Sequence, residues 1–134
     1  MPEFGQNRAE RNAAAVNAER DRRMIEPLLF QGNAYDFDAD SRDNIAGAFA
    51  LALAASIAET GAPGNLYWHG GDTPFQFRTA TNENVEMDAP TVLALGQAAA
   101  ARKAAVIFAA AAMKDAPVLP SKVDADQHWP MQAG

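Results

Sequence analysis

The pattern of apolar and polar positions along the chain predicts three helices. Residues 7–23 are mostly polar, with Val16 and a few alanines as apolar contacts, so we expect a weakly held helix there. A second helix continues to about Thr60 and contains residues 45–58, which carry no charge. Because that stretch has no polar face, it needs cover on every side, and at about 14 residues it is too short to cross a bilayer.

The third predicted helix has the clearest boundaries. Asp88 is expected to cap it, because an aspartate side chain accepts hydrogen bonds from the free N–H groups of a first turn. Pro90 is tolerated in that turn, and the helix continues to about Asp115. For the second helix the predicted cap is Asp40 or Ser41. The third helix should bury more than one face, because its large apolar residues do not fall on one stripe. They are Leu93, Val106, Ile107 and Phe108.

Short strands are predicted between the helices. Residues 28–31 and 34–37 flank Gly32-Asn33, a pair able to adopt the positive φ of a tight hairpin turn. Three further strands are expected at 66–68, 74–80 and 85–87. The predicted fold class is α+β: a small antiparallel sheet of short hairpins packed on two alanine-rich helices, with an N-terminal helical arm and an extended C-terminal arm.

The composition indicates one domain with a small core. Of the 134 residues, 49% are hydrophobic but only 8% are aromatic. Alanine supplies much of the apolar fraction and removes little surface from water, so stability is expected to depend on assembly. The expected division is a helical arm at 1–26, an α+β domain at 27–115 and an extended arm at 116–134. The polar N-terminus lacks the apolar segment of a signal peptide, so we expect synthesis in the cytoplasm.

The charge is distributed unevenly, with a net value of −6. Through Arg23 five arginines face four acids, whereas from Met24 onward six basic residues face thirteen acids. An acidic body argues against nucleic acid as a partner, because such binders need clustered Lys and Arg. The N-terminal arginines are expected either to dock on the acidic body of a neighbour or to form a solvated mixed-charge helix face.

Residues of both arms are expected to contact partners, because segments that bury little by themselves gain order on another surface. A buried tryptophan is a common anchor of such contacts. The alternative is that the two tails pack back on their own domain. The expected partner-contacting residues are Arg8, Arg11, Val16, Arg20, Val118, Leu119, Trp129 and Met131.

The acidic cluster before the second helix does not match a calcium loop. Asp36, Asp38 and Asp40 have the spacing that opens such a loop. Ser41 stands where the loop needs glycine, however, and Gly47 where it needs a bidentate glutamate. A strand end followed by a helix cap explains the three acids.

The two histidines also fail to predict a metal or catalytic site. His69 and His128 are far apart in the sequence, with no third histidine and no cysteine to complete a zinc set. Asp72 lies near His69, but no nucleophile elbow presents a serine to it. We therefore expect no catalytic activity, no cofactor and no metal. The aromatic residues of this region are interpreted as core rather than as a stacking platform. They are Tyr67, Trp68, Phe75 and Phe77.

Three stretches, 17–23, 30–53 and 77–108, carry a family resemblance that spans about residues 17–115. Their order resembles a family of uncharacterised domains of tailed-phage and prophage proteins, often encoded near or fused to tail-fibre components. The resemblance implies a small α+β domain without established catalytic residues. It also implies a non-enzymatic structural component of a bacteriophage tail, at the fibre, tip or baseplate, and therefore location in the virion.

The expected partners are other phage tail proteins and further copies of this chain, with no nucleic acid and no membrane. Two alternatives stay open. An assembly chaperone for tail fibres would be absent from purified particles. A host-surface binding module would expose Tyr67 and Trp68 at a loop rim.

Overall fold

The computed structural model describes the backbone of residues 2–132 and the side chains of residues 10–132. This part of the chain contains three helices and two β-hairpins, which confirms the predicted α+β class with a small antiparallel sheet component. In chain order the elements are α1 (Pro2–Met24), β1 (Leu28–Phe30), β2 (Asn33–Tyr35), α2 (Ala39–Ile57), β3 (Gln76–Arg78), β4 (Asn84–Glu86), α3 (Ala89–Asp115) and a 3-10 turn, Asp126–His128.

The central element of the fold is α3, against which both other helices pack. Its buried residues recur every three or four positions and therefore lie on one stripe of the helix. The helix has 27 residues and α2 has 19, so α2 is too short to cover the whole stripe. The stripe consists of Val92, Leu95, Ala99, Arg102, Val106, Ala110 and Met113.

The first part of this stripe is covered by α2, which runs antiparallel to α3. Gly61, just after the end of α2, lies against Ala89 at the start of α3. Near the other end of α2, Arg42 lines the same groove as Lys103. The two helices approach closely, because a side-chain carbon added at Gly96 would overlap the Phe49 side chain.

The last part of the stripe is covered by α1, which also runs antiparallel to α3. The Asn17 side-chain oxygen accepts a hydrogen bond from Lys114 Nζ at 2.8 Å. Six residues later, the Arg23 carbonyl accepts one from Arg102 Nη2 at 3.4 Å. Val16, just before Asn17 on α1, is fully buried in the core.

The two hairpins belong to separate two-stranded sheets. β1 and β2 pair antiparallel in the register Leu28↔Tyr35, and the turn between them places Gln31 and Gly32 at positive φ. In the second hairpin β3 and β4 pair in the register Phe77↔Val85. The prediction of a strand at 66–68 is wrong: this segment forms a turn, because Trp68 points inward and its Nε1 donates to the Met87 carbonyl at 2.9 Å.

The two helix starts differ in how well the sequence located them. The predicted cap of α3 is confirmed, since the Asp88 carboxylate accepts from the Thr91 backbone N–H at 2.9 Å. It also accepts from the Gly64 N–H at 2.9 Å, which fixes the loop before β3. For α2 the prediction of Asp40 or Ser41 is wrong, because the extended residue before the helix is Asp38 and Asp40 already lies in the first turn.

Length and composition alone would allow α3 to cross a membrane, with a mean hydropathy of 1.4 over its most apolar window. The core helices of many soluble proteins meet the same test. Arg102 and Lys103 lie near the middle of α3, and α1 and α2 pack along it. We therefore describe α3 as the core helix of this fold.

The close packing of α2 on α3 yields a first prediction. Ala52 is fully buried on α2, so Ala52→Leu should overpack this contact and lower the free energy of unfolding by about 1–3 kcal/mol. Ala54 is exposed on the same helix, and Ala54→Leu should change that free energy by less than about 0.5 kcal/mol. Urea denaturation measures both. Equal losses for the two variants would contradict tight packing at Ala52.

A second prediction concerns the cap of α3. The hydrogen bonds from Thr91, and next those from Gly64, lower the pKa of Asp88. A lowered folded-state pKa stabilises the fold above the ordinary aspartate pKa of about 3.9 and loses this effect as the pH falls through the folded value. Asp88→Asn should therefore be less stable than the natural chain at neutral pH, with a gap that narrows below about pH 4. Denaturation curves across this range test it, and a gap independent of pH would contradict it.

Candidate interaction surface

The C-terminal segment 116–132, here called the strap, lies on the chain's own helices. Trp129 is only 4% exposed, and its Nε1 donates to the Val123 carbonyl at 2.7 Å. The guanidinium carbon of Arg23 lies 5.8 Å from the centre of the Trp129 ring, within the range of a cation–π contact. The strap is thus bound to the end of α1.

Arg23 connects α1 to the strap through hydrogen bonds to both. Its Nε donates to Glu19 at 2.6 Å, and its Nη2 donates to the Asp124 carbonyl at 2.7 Å and approaches the Asp126 carboxylate at 2.7 Å. Burial opposes the charged form, but the hydrogen bonds with Glu19 and Asp126 outweigh it and raise the pKa of Arg23. This guanidinium therefore stays charged although its side chain is buried.

Arg102 makes a similar connection from α3. Its Nη1 donates to the Pro130 carbonyl at 2.7 Å, and its Nη2 lies 3.7 Å from the Glu26 carboxylate. Burial lowers the pKa of Arg102, and the nearby charge of Arg23 adds to this effect, while Glu26 opposes it. Among the described residues, the buried Nε of Arg102 has no hydrogen-bond partner.

Gln132 binds the strap to the free edge of β1. Its Oε1 accepts from the Leu29 N–H at 2.9 Å, and its Nε2 donates to the Pro27 carbonyl at 2.9 Å. The side-chain amide therefore pairs with two main-chain groups in the manner of a neighbouring strand. Nothing in the local sequence around Gln132 indicates this contact.

The residues expected to contact partners fall into two groups. Val16 and Trp129 lie in the chain's own core, and Leu119 packs against it. Val118 and Met131 are exposed, the latter at 84%. Of the arginines, Arg11 is exposed, Arg20 lies 2.8 Å from the Asp21 carboxylate, and the Arg8 side chain lies outside the described residues.

The histidine and aspartate candidates are not brought together. His69 Nε2 lies 2.8 Å from the Thr73 carbonyl, and its ring packs against both Trp68 and Phe75, with ring centres 6.0 and 5.4 Å away. Asp36, Asp38 and Asp40 are exposed around the start of α2. Within the described residues, no group of three His, Cys, Asp or Glu could hold a metal ion.

An exposed apolar feature of the described residues is a face shared by α2 and α3, here called the outer face. On α2, Leu53 and Ile57 point outward, and Ile57 is 77% exposed. On α3, Ile107 and Phe108 do the same, and Phe108 is 70% exposed. The outer face consists of Ala46, Ala50, Leu53 and Ile57 of α2 and Leu93, Gln97, Ala100, Ala104, Ile107, Phe108 and Ala111 of α3.

A groove of about 440 Å³ runs between the two helices on this side. Its floor is lined by Phe49, Gly96 and Ala100, and its rim carries Asp43 and Lys103. The sequence already indicated that α2 and α3 lack a polar face. Each helix carries two sets of apolar residues spaced alternately by three and four positions. Sorting the residues into these two sets would have located the exposed stripe.

A second groove, of about 510 Å³, lies on the opposite side of α2. Leu51 of α2 faces Phe75 and Phe77 of the second hairpin across it, and the polar residues Asn44 and Asn82 line its ends. Tyr35 packs edge-on against Phe77 at 5.8 Å behind this groove. The hairpin aromatics therefore belong largely to the core, with Tyr67 exposed beside them.

The strap yields a third prediction. Trp129→Ala should lower the free energy of unfolding by about 3–5 kcal/mol, because the buried ring fills the space between Arg23 and Val123. Met131→Ala, two residues along the strap, should change it by less than about 0.5 kcal/mol. Thermal or urea denaturation of the isolated chain distinguishes them. An unchanged stability in Trp129→Ala would mean that the strap is held by something other than its own domain.

Comparison with known proteins places the chain in a family. No curated protein matches it, and no solved structure matches it. The family model described as a domain of unknown function, DUF4376, matches residues 6–127. The matched range includes α2, α3, both hairpins and most of α1. Because the match covers most of the chain, this protein belongs to the DUF4376 family.

Proposed function

We propose that this protein is a non-enzymatic structural component of a bacteriophage tail, in the fibre, tip or baseplate region, that works by packing against other subunits. The observation that carries the packing role is the outer face. Ile57 and Phe108 are 77% and 70% exposed on it, although both belong to core helices. Large apolar patches of this kind are typical of interaction sites in soluble proteins.

The composition of the outer face supports a packing role over a catalytic one. Its residues are apolar apart from Gln97, so they offer shape and apolar area rather than acid, base or nucleophile. The charged residues Arg42, Asp43 and Lys103 line the adjoining groove. Such an arrangement of an apolar centre and a polar rim is characteristic of protein interfaces.

The assignment to a phage tail is supported by the resemblance of residues 17–23, 30–53 and 77–108 to domains of tailed-phage and prophage proteins. The elements that carry this resemblance are the end of α1, the first hairpin with α2, and the second hairpin with α3. They are also the elements that build the outer face and its support. Under this proposal the partners are other tail proteins and further copies of the chain.

The test is the protein content of purified particles. Particles produced from the genome that encodes this chain should contain it in a fixed ratio to the other tail proteins, measured by quantitative mass spectrometry. Deletion of its gene should leave tails that lack a distal part by electron microscopy. A chain that is required for tails but absent from particles would instead be an assembly chaperone and would overturn the structural assignment. Particles that lack this chain and still have normal tails would overturn both the structural assignment and the chaperone alternative.

A further inference from the structure

The second groove, between α2 and the second hairpin, is lined by a glycine that the packing of the chain does not require. Gly47 lies inside α2, where glycine is less favourable than alanine. A side-chain carbon added at Gly47 would meet nothing within 4 Å, whereas one added at Gly96 would overlap Phe49. Helix packing therefore explains Gly96 but not Gly47. Because Gly47 has no side chain, the backbone of α2 stays open to a molecule that occupies the groove.

Polar side chains from both walls line the same groove without partners in the chain. Ser41 and Asn44 lie one turn apart on α2, and Asn82 lies in the turn between β3 and β4. Within the described residues, these three side chains make no hydrogen bond, although Thr79 and Thr81 beside them pair at 3.1 Å. A hydroxyl and two amides can each donate and accept, so together they suit a ligand with many hydroxyl groups.

Two aromatic rings form the apolar part of the groove. Phe75 and Phe77 line it and are both half-buried. Each ring is supported by a core aromatic, since the ring centre of Trp68 lies 4.7 Å from that of Phe75 and the ring centre of Tyr35 lies 5.8 Å from that of Phe77. The two rings are thus held in place while part of their surface remains accessible. Such rings offer rigid apolar area to a ligand that also has a polar edge.

The charges that line the groove balance. Among the described residues, the charged ones that line it are Asp36 and Arg78, and neither forms an ion pair there. One carboxylate and one guanidinium favour neither an anion nor a cation, so the groove suits an uncharged ligand. Its volume of about 510 Å³ lies within the range of roughly 300–1,000 Å³ that is typical of small-molecule sites.

We propose that the second groove binds an uncharged saccharide. A sugar ring has C–H groups on its faces and hydroxyl groups around its edge, which matches a site with an aromatic wall and unpaired amides. One face of the sugar packs on the hairpin aromatics, its hydroxyl groups bond with Asn44 and Asn82, and its edge lies against the α2 backbone at Gly47. This inference goes beyond the proposed packing function and does not depend on it.

Chemical-shift mapping of the ¹⁵N-labelled full chain tests the binding. The probes are maltotriose, mannotriose, N-acetylated chitotriose and lactose, each added to about 10 mM. At least one should shift the amide signals of Asn44, Gly47 and Phe77, with a dissociation constant of about 0.1–10 mM. Inorganic phosphate at the same concentration is the charged comparison and should leave these signals unchanged. No shift with any saccharide, shifts confined to the groove around Gly96, or equal shifts with phosphate would overturn the proposal.

Variants of α2 separate the site from the fold. Gly47→Leu places a side chain in the groove and should weaken binding at least tenfold, and Asn44→Ala should weaken it about three- to tenfold through the loss of a hydrogen bond. Both introduce a better helix former, so the melting temperature should not fall. Ala46→Leu adds similar bulk one residue away, in the groove between α2 and α3, and should leave binding unchanged. Unchanged binding in Gly47→Leu, or an equal loss in Ala46→Leu, would overturn the assignment to this groove.

Discussion

The fold depends on the coverage of one long helix. The buried stripe of α3 extends from Val92 to Met113. With 19 residues, α2 is eight residues shorter than α3, which has 27. Exposing Val106, Ala110 and Met113 to water would be unfavourable, so another element must cover them. α1 does so, and the strap in turn lies on α1 and binds Arg102 of α3, which is why two segments with little apolar content of their own are part of the packed structure.

Two buried arginines give this arrangement its specificity. A small core of alanines and a few large residues provides limited directional information, because apolar contacts are not directional. Arg23 and Arg102 instead donate to carbonyl oxygens of Asp124 and Pro130, and so bind two points of the strap to α1 and α3. The burial of Arg102 is unfavourable for its charge, as its lowered pKa indicates, and the hydrogen bonds offset part of that cost.

Local signals in the sequence predicted the elements that depend on local chemistry. Asp88 with Pro90 marked the start of α3, because a cap is determined by a few adjacent residues. Gly32 marked the first hairpin, but the turn pair is Gln31-Gly32 and not the predicted Gly32-Asn33, which lies one residue too late. The prediction of a strand at 66–68 was wrong because Trp68 points inward to the Met87 carbonyl, which lies 19 residues further along the sequence.

The interaction surface was only partly predictable for the same reason. The scattered large residues of α3 predicted more than one buried face, which is wrong: its buried residues form one stripe, and Ile107 and Phe108 are exposed. The sequence could not indicate which of the apolar residues the rest of the chain covers. Val16 and Trp129 are buried by contacts between segments about a hundred residues apart in the sequence, such as the contact of Arg23 with Asp124. The spacing of apolar residues along the sequence does not reveal such contacts.

The attachment of the strap to α1 has a consequence for how the protein is made. Ribosomes release a chain from its N-terminus, so α1 emerges well before Asp124, Trp129 and Gln132. Until then Arg23 lacks its partners on the strap, and the edge of β1 stays open to pairing with other chains. The native structure of this region is therefore completed only after the strap has emerged, about a hundred residues behind α1.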